Sequence, residues 1–245
     1  MLVTMKGLIP AGGQGTRLKP ITLAIPKELL MVGDKAIIEY VINAMKMAGI
    51  TEITIVVGWR KHAILDYLGS GKRLGVKLTY VVQDKRDGLG KAVFSGMHTI
   101  GQEPFLVVLG DNFFYPQTFL KEILSFHQQN NADATIGVAH VDDPTRHGMI
   151  KPGENNKIVD IIEKPSPQQS PSSLGCIGIY LFNPDIFEAI AGTKPGYNNE
   201  IQLTDAIKLL LDDNKNVMYR QIQGKHIDIG TLEDLGNAND FLRTR

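Results

Sequence analysis

The first 141 residues alternate short apolar or β-branched runs with segments of helical periodicity, and few folds accept that alternation. Lys6–Pro10, Glu52–Val57 (EITIVV), Val76–Val82, Phe105–Leu109 (FLVVL) and Ala134–Val141 read as strands. Between them, Ile37, Ile38, Val41, Ile42 and Met45 recur at helical spacing, with Gly49 as the stop. Lys61–Leu68, Leu89–Thr99 and Thr118–Gln129 read as further helices. Strands separated by helices join as parallel neighbours through right-handed crossovers. This predicts an α/β fold, a Rossmann-like and mostly parallel central sheet with helices on both faces. Ligands of such sheets gather beyond the carboxyl ends of the strands. Chemistry is therefore sought where each strand stops.

After Asp142 the pattern changes. Gly148–Lys151, Ile158–Ile162 and Ser173–Phe182 read as strands without long helices between them, and Ser166–Ser173 (SPQQSPSS) as a polar, proline-rich loop. A small antiparallel part, inserted in or appended to the main sheet, fits this stretch. Thr204–Leu211 is helical, Val217–Gln223 and His226–Ile229 are strand-like, and Thr231–Leu242 closes the chain as a helix. Thr231 and Asp234 are spaced as a capping box. No internal repeat is evident.

Length and composition narrow the function. A chain of 245 residues suits a single domain across 1–245. Met5 offers a second start for it. Twenty-six basic residues balance 26 acidic ones, so no charge excess points to nucleic acid or an anionic membrane. The single cysteine, Cys176, permits no intrachain disulfide and fits a reducing compartment. The N-terminal apolar run is too short for a secretory leader, and no run reaches the roughly 20 residues of a membrane span. These features predict a cytoplasmic protein.

The first strand runs into Gly12-Gly13-Gln14-Gly15-Thr16-Arg17. A dinucleotide-binding turn wants G-x-G-x-x-G opening a helix, but Pro20 and Pro26 interrupt the helix that should follow. A P-loop wants G-K-[ST], but Thr16 and Arg17 stand after Gly15. What remains is a turn whose three glycines let backbone N–H groups converge on an anion, with Arg17 and Lys27 adding fixed cations. Gln83, at a strand end, carries an amide able to pair with both kinds of group on a base edge. Asp111 ends the most apolar strand, where a carboxylate reaches the ligand edge, and Asp228 offers a second carboxylate.

The segments AGGQGTRLKP and PKELL, then Leu109-Gly110-Asp111-Asn112, Glu163-Lys164-Pro165 and Glu200-Ile201-Gln202-Leu203-Thr204-Asp205, resemble in order and spacing the sugar-phosphate nucleotidylyltransferases. Within that family the chain is most similar to the glucose-1-phosphate thymidylyl- and uridylyltransferases. The resemblance implies transfer of a nucleotidyl group from a nucleoside triphosphate (dTTP or UTP) to a sugar 1-phosphate, with Mg²⁺ as cofactor. It implies a nucleotide-binding part over about 5–141, a sugar-binding part over about 142–230 and a closing helix, 231–245. Gly12, Gly13, Gly15 and Thr16 would cradle the triphosphate, and Gln83, Gly88 and Leu89 would contact the base. Of the catalytic cations, Arg17 would meet the leaving pyrophosphate, and Lys27 and Lys164 would offset charge on the α-phosphate and the incoming phosphate. Gly148, Glu163, Lys164, Gly175 and Glu200 would line the sugar site, and Asp111 and Asp228 would hold the metal. The family is often homo-oligomeric.

Three positions depart from the family pattern: Met31 for a proline, and His147 and His226 for frequent aromatics. They lie around the sugar side and leave the phosphate and metal positions intact. His62, His98, His127 and His140 show no ligand spacing and read as surface or packing residues. Thr204 and Asp205 read as the start of a helix. The alternative is a non-catalytic regulatory or assembly subunit, which would be expected to lose the arginine, the lysines or the aspartates. All of them are present.

Overall fold

The structure is a computed structural model that describes residues 5–58 and 60–244. The reading of Met5 as a second start concerns Met1–Thr4, which lie outside the described residues. Strand β1 (Lys6–Ala11) is followed by the glycine turn and three short 3₁₀ turns. A two-residue hairpin, β2 (Met31–Val32) and β3 (Lys35–Ala36), leads into helix α1 (Ile37–Met47). Then come β4 (Glu52–Val57), α2 (Lys61–Leu68), β5 (Lys77–Val82), α3 (Leu89–Ser95), α4 (Met97–Ile100) and β6 (Phe105–Val108). After β7 (Asn112–Tyr115), α5 (Phe119–Gln129) and β8 (Ala134–His140), the antiparallel stretch begins with β9 (Gly148–Pro152), β10 (Ile158–Glu163) and β11 (Leu174–Phe182). The chain closes with α6 (Asp185–Gly192), α7 (Leu203–Asp212), β12 (Val217–Gln221), β13 (Lys225–Asp228) and α8 (Leu232–Arg243).

The central sheet has nine strands, with a main path β10-β9-β11-β6-β1-β4-β5 and with β8 and β12 branching from β11. Strands β6, β1, β4 and β5 are mutually parallel, as the alternating sequence predicts. The antiparallel part is not a separate patch. Strand β11 pairs with β6, β8 and β9 and so joins it to the same sheet.

Alternate residues of the central strands feed two cores. Leu8 and Val107 face one layer, with α3, α6 and α7; Ile9, Leu106 and Val108 face the other, with α1, α2 and α5. A third cluster packs α8 against β7 and β13 through Phe113, Ile227, Ile229 and Ala238. No helix among the described residues is long and apolar enough to cross a membrane.

Several elements differ in detail from the sequence reading. The helix expected over Leu89–Thr99 divides at Gly96, which caps both α3 and α4. A Cβ there would fall on the buried Leu8 Cδ1, so the chain passes β1 only as glycine. Helix α6, β7 and the β2–β3 hairpin are not evident in the sequence pattern. Gly49 ends α1 with φ 87°, its N–H donating to the carbonyl of Lys46 at 2.9 Å. Thr231 Oγ1 accepts the Asp234 N–H at 3.1 Å, as the capping-box spacing requires.

Gly96→Ala should overpack the contact with Leu8 and destabilise the protein by about 1–3 kcal/mol. Thermal unfolding measures it; an unchanged midpoint would show that Leu8 repacks freely.

Candidate active site

The four parallel strands stop along one edge, and the site is assembled there. Gly12–Gly15 follow β1, Gly58 follows β4, Gln83 follows β5, and Leu109-Gly110-Asp111 follow β6. Gly58 packs on Gly12, where an added Cβ would lie 3.1 Å from the Gly12 carbonyl oxygen. The Gln83 side chain lies over Gly12, and the Lys27 stem over Gly13. Gly15 is left-handed at φ 59°, and Thr22 Oγ1 donates to its carbonyl at 2.8 Å.

A cavity of about 820 Å³ opens over this edge. Gly12, Gly13, Gly15, Thr16, Lys27, Gln83, Gly88, Leu89 and Asp111 are among the residues that line it. Gln83 Nε2 is buried there without a hydrogen-bond partner, a donor left for a ligand. Gly88, at φ 102°, lets the loop after β5 press on the 200–203 segment. There Ile201 N–H donates to Asp87 O at 2.7 Å, and Gly90 N–H donates to Ile201 O at 2.9 Å.

A second chamber, of about 260 Å³, adjoins the first and shares Lys27, Leu89, Leu109, Asp111 and Glu200 with it. Arg17, Arg146, Glu163, Lys164 and Asp228 complete its charged lining, and Gly148, His147, His226 and Thr204 also line it. Arg17 thus lines the smaller chamber rather than the larger, its guanidinium lying against Gly230. Gly175 lines neither. It sits in β11 beneath Val141 and His147, where a side chain would displace the chamber wall.

Asp111 and Asp228 lie 117 positions apart in sequence, and the β7–β13 pairing brings them together. Asn112 is in register with Asp228, and the Ile229 N–H donates to the Asp111 carbonyl at 3.3 Å. Burial, and then the charge of Asp111, push the Asp228 carboxyl up to about 6. The two carboxylates therefore sense each other across the chamber. Lys27 Nζ is hydrogen-bonded to Asp111 Oδ2. Burial works against the Lys27 charge, but Asp111, Glu28 and Asp228 outweigh it and hold the ammonium above its ordinary range.

Three residues of the site escaped the sequence reading. Glu28 is buried beside Lys27 and lines the larger cavity, its Oε2 without a partner. Burial raises its carboxyl to about 8, so it keeps its proton at neutral pH. Arg146 lines the smaller chamber, and its Nη2 donates to Asp234 Oδ2 at 3.1 Å. Thr204, read as a helix start, does lie in the first turn of α7, and it has a second role. Gln202 holds the cap position, and Thr204 Oγ1 donates to Glu163 Oε2 at 2.8 Å. Only the PKE segment near the glycine turn pointed towards Glu28; nothing in the linear sequence connects 146 with 234 or 204 with 163. Of the histidines at departing positions, burial drives His226 down to about 3 and also lowers His147, so both are neutral. Among those read as packing residues, His127 is buried and its ring nitrogen lies 3.0 Å from Thr135 Oγ1.

The family model described as nucleotidyl transferase matches residues 6–245. The chain belongs to the nucleotidyl transferase family. It is 34% identical to the low-salt glycan biosynthesis nucleotidyltransferase Agl11 of Haloferax volcanii, over 97% of this chain and 66% of that protein. It is 33% identical to a glucose-1-phosphate thymidylyltransferase of Streptomyces griseus, over 96% of this chain and 65% of that protein. The chain therefore spans just under two thirds of the length of these relatives. A solved UDP-glucose pyrophosphorylase complexed with UDP-glucose superposes with a TM-score of 0.91 at 34% identity, covering 99% of this chain and 100% of that one.

The raised Glu28 carboxyl makes a pH prediction. Its folded value, about 8, exceeds the ordinary 4.5, so its contribution is fully present below about 4.5 and is lost as pH rises through 8. Thermal stability from this group should fall as pH rises from about 4.5 to about 8 and level off above that, and Glu28→Gln should flatten the fall. An unaltered pH profile in the variant would show that Glu28 ionises freely.

Proposed function

We propose that this protein transfers a nucleotidyl group from a pyrimidine nucleoside triphosphate, dTTP or UTP, to a sugar 1-phosphate, glucose 1-phosphate first among candidates. The products are a nucleotide-sugar and pyrophosphate. The observation that carries the reading is the meeting of two chambers at Lys27 and Asp111. One has a glycine turn and an unpaired amide suited to phosphates and a base. The other has carboxylates and lysine suited to a phosphorylated sugar. The named activities of the relatives support the same chemistry.

The reaction needs no protein nucleophile, because a phosphate dianion already is one. The sugar phosphate oxygen attacks the α-phosphorus in line as the bond to the pyrophosphate oxygen breaks. The protein's part is positioning and charge neutralisation. Gly12, Gly13, Gly15 and Thr16 hold the triphosphate through backbone N–H groups, and Gln83, Gly88 and Leu89 seat the base. Lys27 meets the α-phosphate. Lys164 meets the incoming phosphate, and Arg17 and Arg146 add positive charge beside it. Gly148, Glu163 and Glu200 accept sugar hydroxyls, with Gly175 keeping the wall beneath His147 close.

Asp111 and Asp228 fit a Mg²⁺ ion. They are two carboxylates facing one space, and no larger group of metal-ligating side chains occurs among the described residues. Mg²⁺ is commonly held by one or two carboxylates, with phosphate oxygens and water completing its shell. The ion supplies neutralisation of charge on the reacting phosphates when bound.

Pyrophosphate release over a grid of nucleoside triphosphates and sugar 1-phosphates tests the reading; no turnover with any pair would sink it. Asp228→Asn separates function from folding. Turnover should fall by about 10²-fold or more, as for other lost charge-stabilising groups. Because the folded carboxyl is raised, its ionised form costs stability near pH 7. Without divalent cations the variant's melting temperature should therefore hold or rise. Near-normal turnover would remove Asp228 from the site.

A further inference from the structure

Between α6 and α7 runs the segment Lys194-Pro195-Gly196-Tyr197-Asn198-Asn199-Glu200. Its backbone is fixed by local hydrogen bonds. Gly196 N–H donates to Glu200 O at 2.9 Å, and Glu200 N–H donates to Tyr197 O at 3.2 Å. Gln202, buried at the start of α7, donates its amide to Tyr197 O at 2.9 Å and to Glu200 Oε2 at 3.3 Å. Gly196 fits closely against Asp205, and Asn198 and Asn199 turn the chain in the left-handed region. The loop is thus tied to the same helix start that supplies Glu200 and Thr204 to the smaller chamber.

The Tyr197 ring gains little from this. It is 47% exposed, an uneconomical place for a large aromatic unless its face is used. Its face is occupied by the ammonium of Lys164, 5.1 Å from the ring centroid. Lys164 needs such a contact. It follows β10 in a left-handed conformation, φ 42°, with its N–H donating to His147 O at 3.0 Å. Its Nζ lies 3.2 Å from Glu163 Oε1. A lysine stem is flexible, and an ammonium held by a carboxylate alone meets a phosphate with its charge partly offset by that ion pair. A ring face attracts the cation without neutralising it and occupies none of its donors.

The geometry points to Tyr197 as a positioning residue for Lys164, its ring holding the ammonium at the mouth of the sugar-phosphate chamber with its charge still available to an incoming phosphate. The inference rests on the reading above, in which Lys164 meets the sugar 1-phosphate.

Steady-state kinetics on the full chain test it, with dTTP or UTP and glucose 1-phosphate as probes. Tyr197→Ala should raise KM for the sugar 1-phosphate about two- to fivefold, the range of an exposed cation–π contact. KM for the nucleotide and the melting temperature should stay unchanged. Tyr197→Phe keeps the ring face and should restore the wild-type KM. In a Lys164→Met background, Tyr197→Ala should add nothing further to the loss in kcat/KM. The inference is overturned if Tyr197→Ala leaves the sugar-phosphate KM unchanged. It is equally overturned if Tyr197→Phe is as damaging as alanine, or if the alanine effect persists undiminished without Lys164. These results leave the proposed reaction standing. A wild-type protein inactive with every substrate pair overturns both.

Discussion

Lys27 and Asp111 bring opposite charges to a place largely closed to water, and the site is arranged around that pairing. Burial alone would push the Lys27 ammonium to lose its proton; the charge of Asp111 first, with that of Asp228, prevents it. Three carboxyl groups around one lysine would in turn be too much negative charge. Glu28 relieves the excess by keeping its proton, and Asp228 is raised towards neutrality. The site is therefore balanced by protonation as well as by ion pairing. Bound phosphates with a divalent cation would change that balance, and the fixed groups would already be in place. Such preorganisation is worth most where solvent cannot rearrange.

The balance is possible only because the sheet changes direction. The parallel strands alone would present the glycine turn, Gln83 and Asp111, which is half a site. Strand β11 runs antiparallel beside β6 and carries the later strands to the same edge. At the crossing, Gly178 takes φ 68° and lies close to Leu109 and Asn112. The buried Asn112 amide donates to the carbonyls of Ile177 at 2.6 Å and Gly178 at 3.2 Å. The residue after Asp111 thereby fastens the aspartate's strand end to the wall of the smaller chamber. Asn112 also lies opposite Asp228 in the β7–β13 pair. One buried amide thus sits where both halves of the site converge.

This convergence also marks what was legible in the sequence. Periodicity located the parallel strands, and the glycine turn pointed to phosphate because its chemistry is local. Asp111 was legible as a strand end and Asp228 as a companion through family resemblance. The pairing that joins them was not. Strand β7 has four residues, too short for alternation to declare itself, and although β13 reads as strand-like, a partner so distant leaves no local trace. Helix α6 follows Pro184 and spans only eight residues, short for its period to stand out. Thr204 and Asp234 read as helix-start residues, yet each has a second partner: Glu163 for one, Arg146 for the other. A residue whose local role suffices to explain it conceals its tertiary one. Glu28 was hidden for the opposite reason, since a buried protonated acid runs against what its residue type suggests.

The cations around the smaller chamber are held by different means, and the differences bear on function. Lys27 is paired with Asp111, Arg146 with Asp234, and Lys164 with Glu163 and the Tyr197 ring. Arg17 lies against Gly230. A phosphate entering this chamber competes with carboxylates already in contact with the cations, so its net gain is only the difference between two sets of interactions. A partner that orients a cation without cancelling it lowers that competition. Arg146 illustrates the other solution. Its Nη2 is committed to Asp234, which the Thr231 hydroxyl and Gly230 N–H also bind, while its Nε is buried without a partner. One edge of the guanidinium is thus anchored and a donor on it is left uncommitted, an arrangement open to arginine's planar fork and closed to lysine's point charge. The fold supplies both kinds of cation at one chamber: a lysine oriented by a ring face, and an arginine anchored by a carboxylate.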